Sequence, residues 1–186
     1  MLDYEVYRWE SEMPEHQFCS IVHSAKPDLN QTCNIDNHYK KYYQAVSKLT
    51  ENELHDFAVM QFRLKVKARS TAMMQAAYIV NSGDFSDDDF NNFLAGLIAQ
   101  GKVEYYNALE DPEKTFLSLP NAKLLERCSM FDSTPYIVFE EKGGNPDNLV
   151  TEQDDNLVEE SGSDDDFSLE PATLKAKFPE LFMRFW

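Results

Sequence analysis

Apolar residues recur at intervals of three and four along most of the chain, which is the spacing of one buried face on an α-helix. The first such stretch spans 14–25, a second spans 36–49, and a third spans 54–66. Thr50 precedes the third stretch and stands three residues before Glu53, the arrangement of a capping box. We therefore predict a helix in each stretch, with the third beginning at Thr50.

The central stretch, 76–109, combines the end of one helix, a glycine stop and a long amphipathic helix. A short apolar helix is predicted over 72–80, and Gly83 follows it as the residue type that most often ends a helix. Ser86 then precedes three aspartates, which place carboxylates against the exposed amides of a helix start. Because the apolar stripe continues to Leu109, we predict one long helix after Ser86.

The last third of the chain carries weaker helical signals. Asp111 and Pro112 predict another helix start, since proline suits the first helical position. Two further helical segments are predicted at 121–128 and 135–142, although 136–139 fits a short strand equally well. The final stretch, 174–186, is strongly apolar and is predicted to dock on the core, including its terminal Phe-Trp pair.

No segment alternates polar and apolar residues over several strands, so we predict an all-α fold. At 186 residues the chain is long enough for one well-buried core and short for two. We predict one compact multi-helix domain, with a helical core over 1–146 and an acidic, flexible loop over 147–166. A C-terminal helix over 167–186 is predicted to pack on that core.

Charge adds information on partners. The formal net charge is −16, which disfavours direct binding to the phosphates of nucleic acid. Ten acidic residues and no lysine or arginine lie over 143–170, so this block carries −10 and the rest of the chain −6. Such a block is either a solvated loop or the contact surface for a basic partner.

The same composition indicates a compartment. No run approaches 18 uncharged apolar residues, which excludes a membrane span in the sequence. The acidic N-terminus lacks the apolar core of a signal peptide. Three cysteines without a CxxC motif suit a reducing environment. We predict a cytoplasmic protein that does not associate with membranes.

The acids at 84–89 suggest a metal hypothesis. A calcium loop of the EF-hand type needs glycine at its sixth position and glutamate at its twelfth, and neither position is filled when counting from Asp84 or from Asp87. Successive helical residues also diverge by about 100°, so three aspartates cannot face one ion. Helix capping is the favoured interpretation, and the alternative acidic site consists of Asp84, Asp87, Asp88 and Asp89.

Other chemistry finds less support. The mixed pairs Cys19/His23 and Cys33/His38 differ from the paired cysteines and paired histidines of structural zinc sites, so Cys19 is interpreted as a buried thiol. The sequence has no GxSxG motif and no phosphate-binding glycine loop. We therefore predict no catalytic residue, no cofactor and no metal.

Several motifs resemble an uncharacterised, mainly bacterial family, domain-of-unknown-function family 4240. Its members read "AAYLINGG…SDDGFEYFRGWLIAQG", and this chain reads YIVN at 78–81, SDDDFNNF at 86–93 and LIAQG at 97–101. The chain departs from that pattern at Leu94, where the family has arginine, and at Gly96, where it has tryptophan. The resemblance implies a compact helical domain of soluble bacterial character, and it supplies no established activity.

The leading hypothesis is a non-enzymatic acidic binding protein of the bacterial cytoplasm. Its specific form is an immunity protein or inhibitor that neutralises a basic toxin domain, because strong acidity speeds encounter with a cationic partner. The predicted contact residues are Asp154, Asp155, Glu159, Glu160, Asp164, Asp165 and Asp166. The alternative is an enzyme or small-ligand module that uses the 84–89 acids. The sequence predicts no oligomeric state.

Overall fold

The computed structural model describes residues 13–29, 35–150 and 168–186. Within these ranges every regular element is a helix and no strand occurs, which confirms the all-α prediction. The α-helices are α1 (Glu15–His23), α2 (Ile35–Val46), α3 (Glu51–Ala68), α4 (Thr71–Val80), α5 (Asp87–Ala99), α6 (Lys102–Glu110), α7 (Pro112–Ser118), α8 (Ser129–Glu141), α9 (Pro171–Lys177) and α10 (Pro179–Phe185). Two 3₁₀ segments span Ala122–Cys128 and Pro146–Asn148.

Helix α5 lies at the centre of the core. All eight positions of 93–100 are buried, so the second half of this helix is enclosed on every side, as the nearly continuous apolar sequence requires. Aromatic contacts spread outward from it. The rings of Phe93 and Phe116 meet edge to face at 5.1 Å, and those of Phe18 and Phe57 lie 4.6 Å apart. One apolar cluster thus joins α1, α3, α5 and α7.

One close backbone contact in the core depends on a glycine. A Cβ atom placed on Gly96 would lie 2.1 Å from the backbone oxygen of Leu125, far inside van der Waals contact. Leu125 belongs to the 3₁₀ segment Ala122–Cys128, which packs along α5. The missing side chain therefore lets the two backbones approach each other directly.

The predicted helix starts are confirmed where the signal is local. Thr50 Oγ1 accepts from the Glu53 amide at 3.3 Å, and the Glu53 carboxylate accepts from the Thr50 amide at 2.8 Å, which completes the capping box. Ser86 and Asp89 form a second capping box at the start of α5. Asp111 caps α7, whose first residue is Pro112.

These caps predict a loss of stability in acid. Hydrogen bonds from Thr50 lower the pKa of Glu53, and those from Ser86 lower the pKa of Asp89. A carboxyl whose pKa is lower in the folded state contributes stability above its unfolded pKa and loses it as the pH falls through its folded pKa. We expect the urea midpoint to fall as the pH is lowered from about 5 to about 3, the range in which carboxyl groups ordinarily titrate. The midpoint should fall less steeply in the Glu53→Gln, Asp89→Asn double variant. An equal fall in both proteins would show that the caps contribute nothing to it.

The prediction of one long helix after Ser86 is wrong. Helix α5 ends at Ala99, and α6 begins at Lys102. Gly101 separates them with φ of +97°, a backbone conformation that glycine adopts readily and other residues resist. The apolar spacing continues across this break because α6 also turns Tyr105 and Ala108 into the core.

The structure differs from two other predictions at segments that contain prolines. The strand considered at 136–139 is helical, and α8 begins at Ser129, well before Pro135. The single C-terminal helix is divided into α9 and α10. Phe178 leaves the helical conformation, with φ −130° and ψ 65°, and the α region is disfavoured for a residue that precedes proline. Pro179 then begins α10, where its missing amide costs no helical hydrogen bond.

Pro135 lies inside α8, and a residue of another helix compensates for it. Proline has no amide to donate to the carbonyl four residues earlier, that of Phe131. The Gln61 side chain of α3 donates to this carbonyl at 3.2 Å and to Asp132 Oδ1 at 2.9 Å. Lys65 also donates to Asp132 Oδ1, at 2.7 Å. The buried Gln61 amide thus replaces the helical bond that Pro135 removes.

The C-terminal segment is anchored by three buried side chains, Leu174, Phe178 and Leu181. Helix α10 packs on α4 and α7, and the Gln75 side chain donates to the Ser168 carbonyl at 2.8 Å. Leu149, which lies in the predicted 147–166 loop, is fully buried in the core. None of the helices in the described ranges has the length and apolarity needed to cross a membrane.

Candidate functional site

The acidic residues predicted to bind a partner lie outside the described residues. They are Asp154, Asp155, Glu159, Glu160, Asp164, Asp165 and Asp166. In total, 12 of the 33 acids and one of the 17 basic residues fall outside the described ranges, which leaves the described residues with a net charge of −5. The helices themselves are therefore moderately acidic, and the prediction for the 147–166 block stays a prediction.

The alternative acidic site lies at the start of α5. Asp84, Asp87 and Asp88 are exposed, whereas Asp89 is engaged with Ser86 in the capping box. Among the described side chains, no group of three or more histidines, cysteines, aspartates and glutamates is placed to hold a metal ion. Among these four acids, Asp89 has a capping contact, since its carboxylate accepts from the Ser86 amide, and Asp87 and Asp88 lie with it in the first turn of α5.

A fifth carboxylate joins this acidic surface from the 3₁₀ segment. Burial raises the pKa of Glu126, and the negative charges of Asp89 and Asp84 raise it further, while Arg127 and Lys123 lower it. Because the 3₁₀ segment packs along α5, Glu126 and the acids at the start of α5 lie on neighbouring elements. Sequence reasoning missed Glu126 because it stands 37 positions after Asp89, and no local pattern signals that the two are close.

Large apolar side chains are exposed on α10. Met183 is 81% exposed and Trp186 is 46% exposed. The Trp186 ring stacks on Phe182, with centroids 5.0 Å apart and planes 17° apart, and it also contacts Tyr78 at 5.8 Å. The predicted docking of the terminal residues is thus partial, since one face of the indole packs and the rest meets solvent.

The apolar and acidic groups adjoin each other. A Cβ on Gly83 would lie 2.9 Å from Trp186 Cη2, so the indole rests on the backbone just before Asp84. Ser82 Oγ donates to the Phe185 carbonyl at 2.7 Å, and Lys123 donates to Ser82 Oγ at 2.7 Å. These bonds hold the end of α10 against the α4–α5 loop and the 3₁₀ segment.

We call the resulting region the aromatic–acidic surface. It consists of Met183, Trp186, Asp84, Asp87, Asp88 and Glu126. Its apolar part is large enough to matter for recognition, because tryptophan and methionine contribute more to interfaces than their share of ordinary surfaces. Its acidic part favours a cationic partner.

The family model described as "Protein of unknown function (DUF4240)" matches residues 13–143. The chain belongs to the DUF4240 family. The resemblance of the central motif is thereby confirmed. The searches of curated proteins and of solved structures found no match.

The range matched by the family model covers only part of the aromatic–acidic surface of this DUF4240 chain. Its four carboxylates lie inside the matched range, whereas Met183 and Trp186 lie beyond it. The departures from the family motif also acquire a physical meaning. Leu94 is fully buried where the family pattern has arginine, and the backbone against Gly96 leaves no room for the tryptophan of that pattern.

Proposed function

We propose that this protein is a non-enzymatic acidic binding protein that neutralises a basic protein partner. Its specific form is an immunity protein or inhibitor of a basic toxin domain in the bacterial cytoplasm. The observation that carries the proposal is the aromatic–acidic surface, where the exposed Trp186 packs on Gly83 beside the exposed Asp84, and Met183 is exposed on α10, the helix that ends just before Trp186.

The apolar part of this surface supports protein binding. Interface hot spots are buried aromatic anchors surrounded by polar contacts that exclude water. Trp186 is already held by Phe182 and Tyr78, so a partner would meet an ordered ring. Binding to an ordered side chain loses less conformational entropy than binding to a free one.

The charge of the chain supports a basic partner. Asp84 follows the glycine on which Trp186 packs, and Asp87 and Asp88 lie in the next helix turn. The acids over 151–167 add a further charge of −8. Charge of one sign raises the association rate with a partner of the other sign, and salt weakens this attraction. A basic toxin domain that acts on nucleic acid would present such a cationic surface.

The cysteines support the cytoplasmic location in this proposal. Cys19 and Cys128, the two cysteines in the described ranges, are free thiols. Burial raises the pKa of Cys128 to about 12, so its thiol stays protonated and unreactive. Free thiols suit a reducing compartment, where disulfides are rare.

The proposal is tested with the basic protein that a pull-down with this chain recovers from lysate. We expect purified chain and partner to bind, and Met183→Asp to weaken the dissociation constant at least tenfold, about 1.4 kcal/mol. Val103→Asp is the matched control, because Val103 is 67% exposed on α6. Binding is measured by calorimetry, and equal losses in the two variants would contradict the assignment of the surface.

The carboxylates are tested by kinetics. Asp87→Asn with Asp88→Asn should slow association and reduce its salt dependence, with little change in dissociation. Neutralising the acids over 151–167 should do the same. The substitutions are preferred to deletion of 147–166, because that deletion would remove the buried Leu149. An unchanged association rate in both sets would count against an acidic interface.

The alternative function uses Asp84, Asp87, Asp88 and Asp89 as the centre of an enzyme or small-ligand site. It stays a prediction, and activity and melting temperature together distinguish it from a structural role. The same Asp87→Asn and Asp88→Asn changes would abolish an activity without lowering the melting temperature. A lower melting temperature alone, from about 0.5–2 kcal/mol of lost helix-start stabilisation, would leave the structural role.

A further inference from the structure

A cleft of about 560 Å³ lies where the end of α1, the end of α5, the first turn of α6 and the end of α7 meet. This volume falls within the roughly 300–1,000 Å³ of typical small-molecule sites. The cleft is separate in its residues from the aromatic–acidic surface. It is lined by His23, Lys26, Pro27, Asp28, Leu29, Gln100, Glu104, Ser118, Leu119 and Pro120.

One wall of the cleft carries charges of both signs in contact. Lys26 Nζ lies 2.5 Å from Glu104 Oε1, and the two side chains are 34% and 29% exposed. His23 belongs to the same wall. Its Nδ1 and Glu104 Oε2 lie 3.7 Å and 4.0 Å from the position that a Cβ would take on Gly101. The cleft therefore offers an ammonium and a carboxylate side by side, with an imidazole near them.

A buried amide adds an unused donor. Gln100 lines the cleft and is 2% exposed. Its Nε2 is buried and has no hydrogen-bond partner among the described residues. Buried polar groups almost always have a partner, and an orphan donor is costly. Because Gln100 is part of the cleft lining, a ligand bound in the cleft could supply the missing acceptor.

Much of the remaining lining is apolar. Pro27, Leu29, Leu119 and Pro120 border the cleft, and the first three of them are themselves buried. An apolar surface beside a few convergent polar groups is typical of small-ligand sites, because the apolar part supplies affinity and the polar part fixes orientation.

We propose that this cleft binds a free α-amino acid with a large apolar side chain. Its carboxylate accepts hydrogen bonds from Lys26 and Gln100, and its ammonium lies beside Glu104. A simple anion would meet the Glu104 carboxylate, and a simple cation would meet the Lys26 ammonium. A ligand that carries both charges a few bonds apart complements both members of a Lys–Glu pair in contact. The apolar lining receives the side chain.

The test titrates the ¹⁵N-labelled full-length chain with L-phenylalanine and follows the side-chain amide resonances by NMR. We expect the Gln100 amide to shift in a saturable way. N-acetyl-L-phenylalanine, which lacks the ammonium, and L-phenylalanine amide, which lacks the carboxylate, should each bind at least tenfold more weakly. Glycine, which lacks the apolar side chain, should also bind at least tenfold more weakly.

Variants give a second readout. Lys26→Met should weaken binding of L-phenylalanine at least tenfold, whereas Lys175→Met, at an exposed position of α9, should leave it unchanged. The proposal is overturned if the wild-type Gln100 amide does not shift at millimolar L-phenylalanine, or if the blocked analogues bind as well as the free amino acid. Because these outcomes are read on the wild-type chain, they stand even if a variant fails to fold.

Discussion

Gly96→Ala is expected to destabilise the protein by about 3 kcal/mol or more, the upper end of overpacking effects. This is the opposite of what helix propensity alone predicts, since alanine is favoured over glycine inside a helix by about 1 kcal/mol. The new Cβ would lie 2.1 Å from the Leu125 oxygen and 2.7 Å from the Leu125 carbonyl carbon. Both are backbone atoms, so no side-chain rotation relieves the clash. Helix α5 and the 3₁₀ segment would have to separate.

Gly143→Ala is the matched control for this prediction. A Cβ on Gly143 would contact nothing within 4 Å, but its φ is +93°. Its cost is therefore confined to backbone strain, about 1–2 kcal/mol. Equilibrium unfolding in urea measures both variants. If Gly96→Ala were no less stable than Gly143→Ala, the close approach of α5 to Leu125 would be disproved.

Gln61→Leu is expected to cost about 2–4 kcal/mol, the sum of two or more unsatisfied buried groups. Leucine has a similar volume, so the loss is polar rather than a cavity. It would leave the Phe131 carbonyl without the bond that replaces the missing Pro135 amide. It would also remove a donor to Asp132 and the acceptor that Tyr42 Oη reaches at 3.4 Å.

Pro135→Ala supplies the control for the Gln61 result. Alanine restores an amide that can donate to the Phe131 carbonyl within α8. Gln61→Leu should therefore cost about 1 kcal/mol less in the Pro135→Ala background, which is the net value of one hydrogen bond. A double-mutant cycle on urea unfolding measures this coupling. Strict additivity of the two changes would show that Gln61 does not compensate for the proline.

Local signals allowed much of the fold to be predicted from the sequence. The caps at Thr50, Ser86 and Asp111 need residues within three positions of one another, and each is formed as predicted. The apolar spacing is also a local signal, because it depends on the residues of a single helix. In α3 it marks one buried face, and in the second half of α5 it covers nearly all faces.

The errors arise where distant residues decide the local structure. The start of α8 could not be read from its sequence, since Pro135 is tolerated through Gln61, which lies 74 positions earlier. The apolar spacing did not reveal the break at Gly101, because the helices before and after it contribute to the same core.

The aromatic–acidic surface was predictable only in part. The acids at the start of α5 were identified from their run in the sequence. Their neighbours were not, because Trp186 reaches Gly83 and Glu126 reaches Asp89 only through the packing of α10 and the 3₁₀ segment. The sequence also indicated that the terminal aromatic residues would be buried, whereas Trp186 keeps nearly half of its surface exposed.

The central claim is that the aromatic–acidic surface contacts a basic protein. The most direct measurement places a photo-crosslinking p-benzoylphenylalanine at Met183 in one variant and at Val103 in another, since both positions are exposed. Each is irradiated in cells that express the chain and the basic protein that a pull-down with it recovers, and mass spectrometry identifies the products. We expect a crosslink to that basic protein from position 183 and none from position 103. Crosslinks of equal yield from both positions, or a crosslink from position 103 alone, would contradict it.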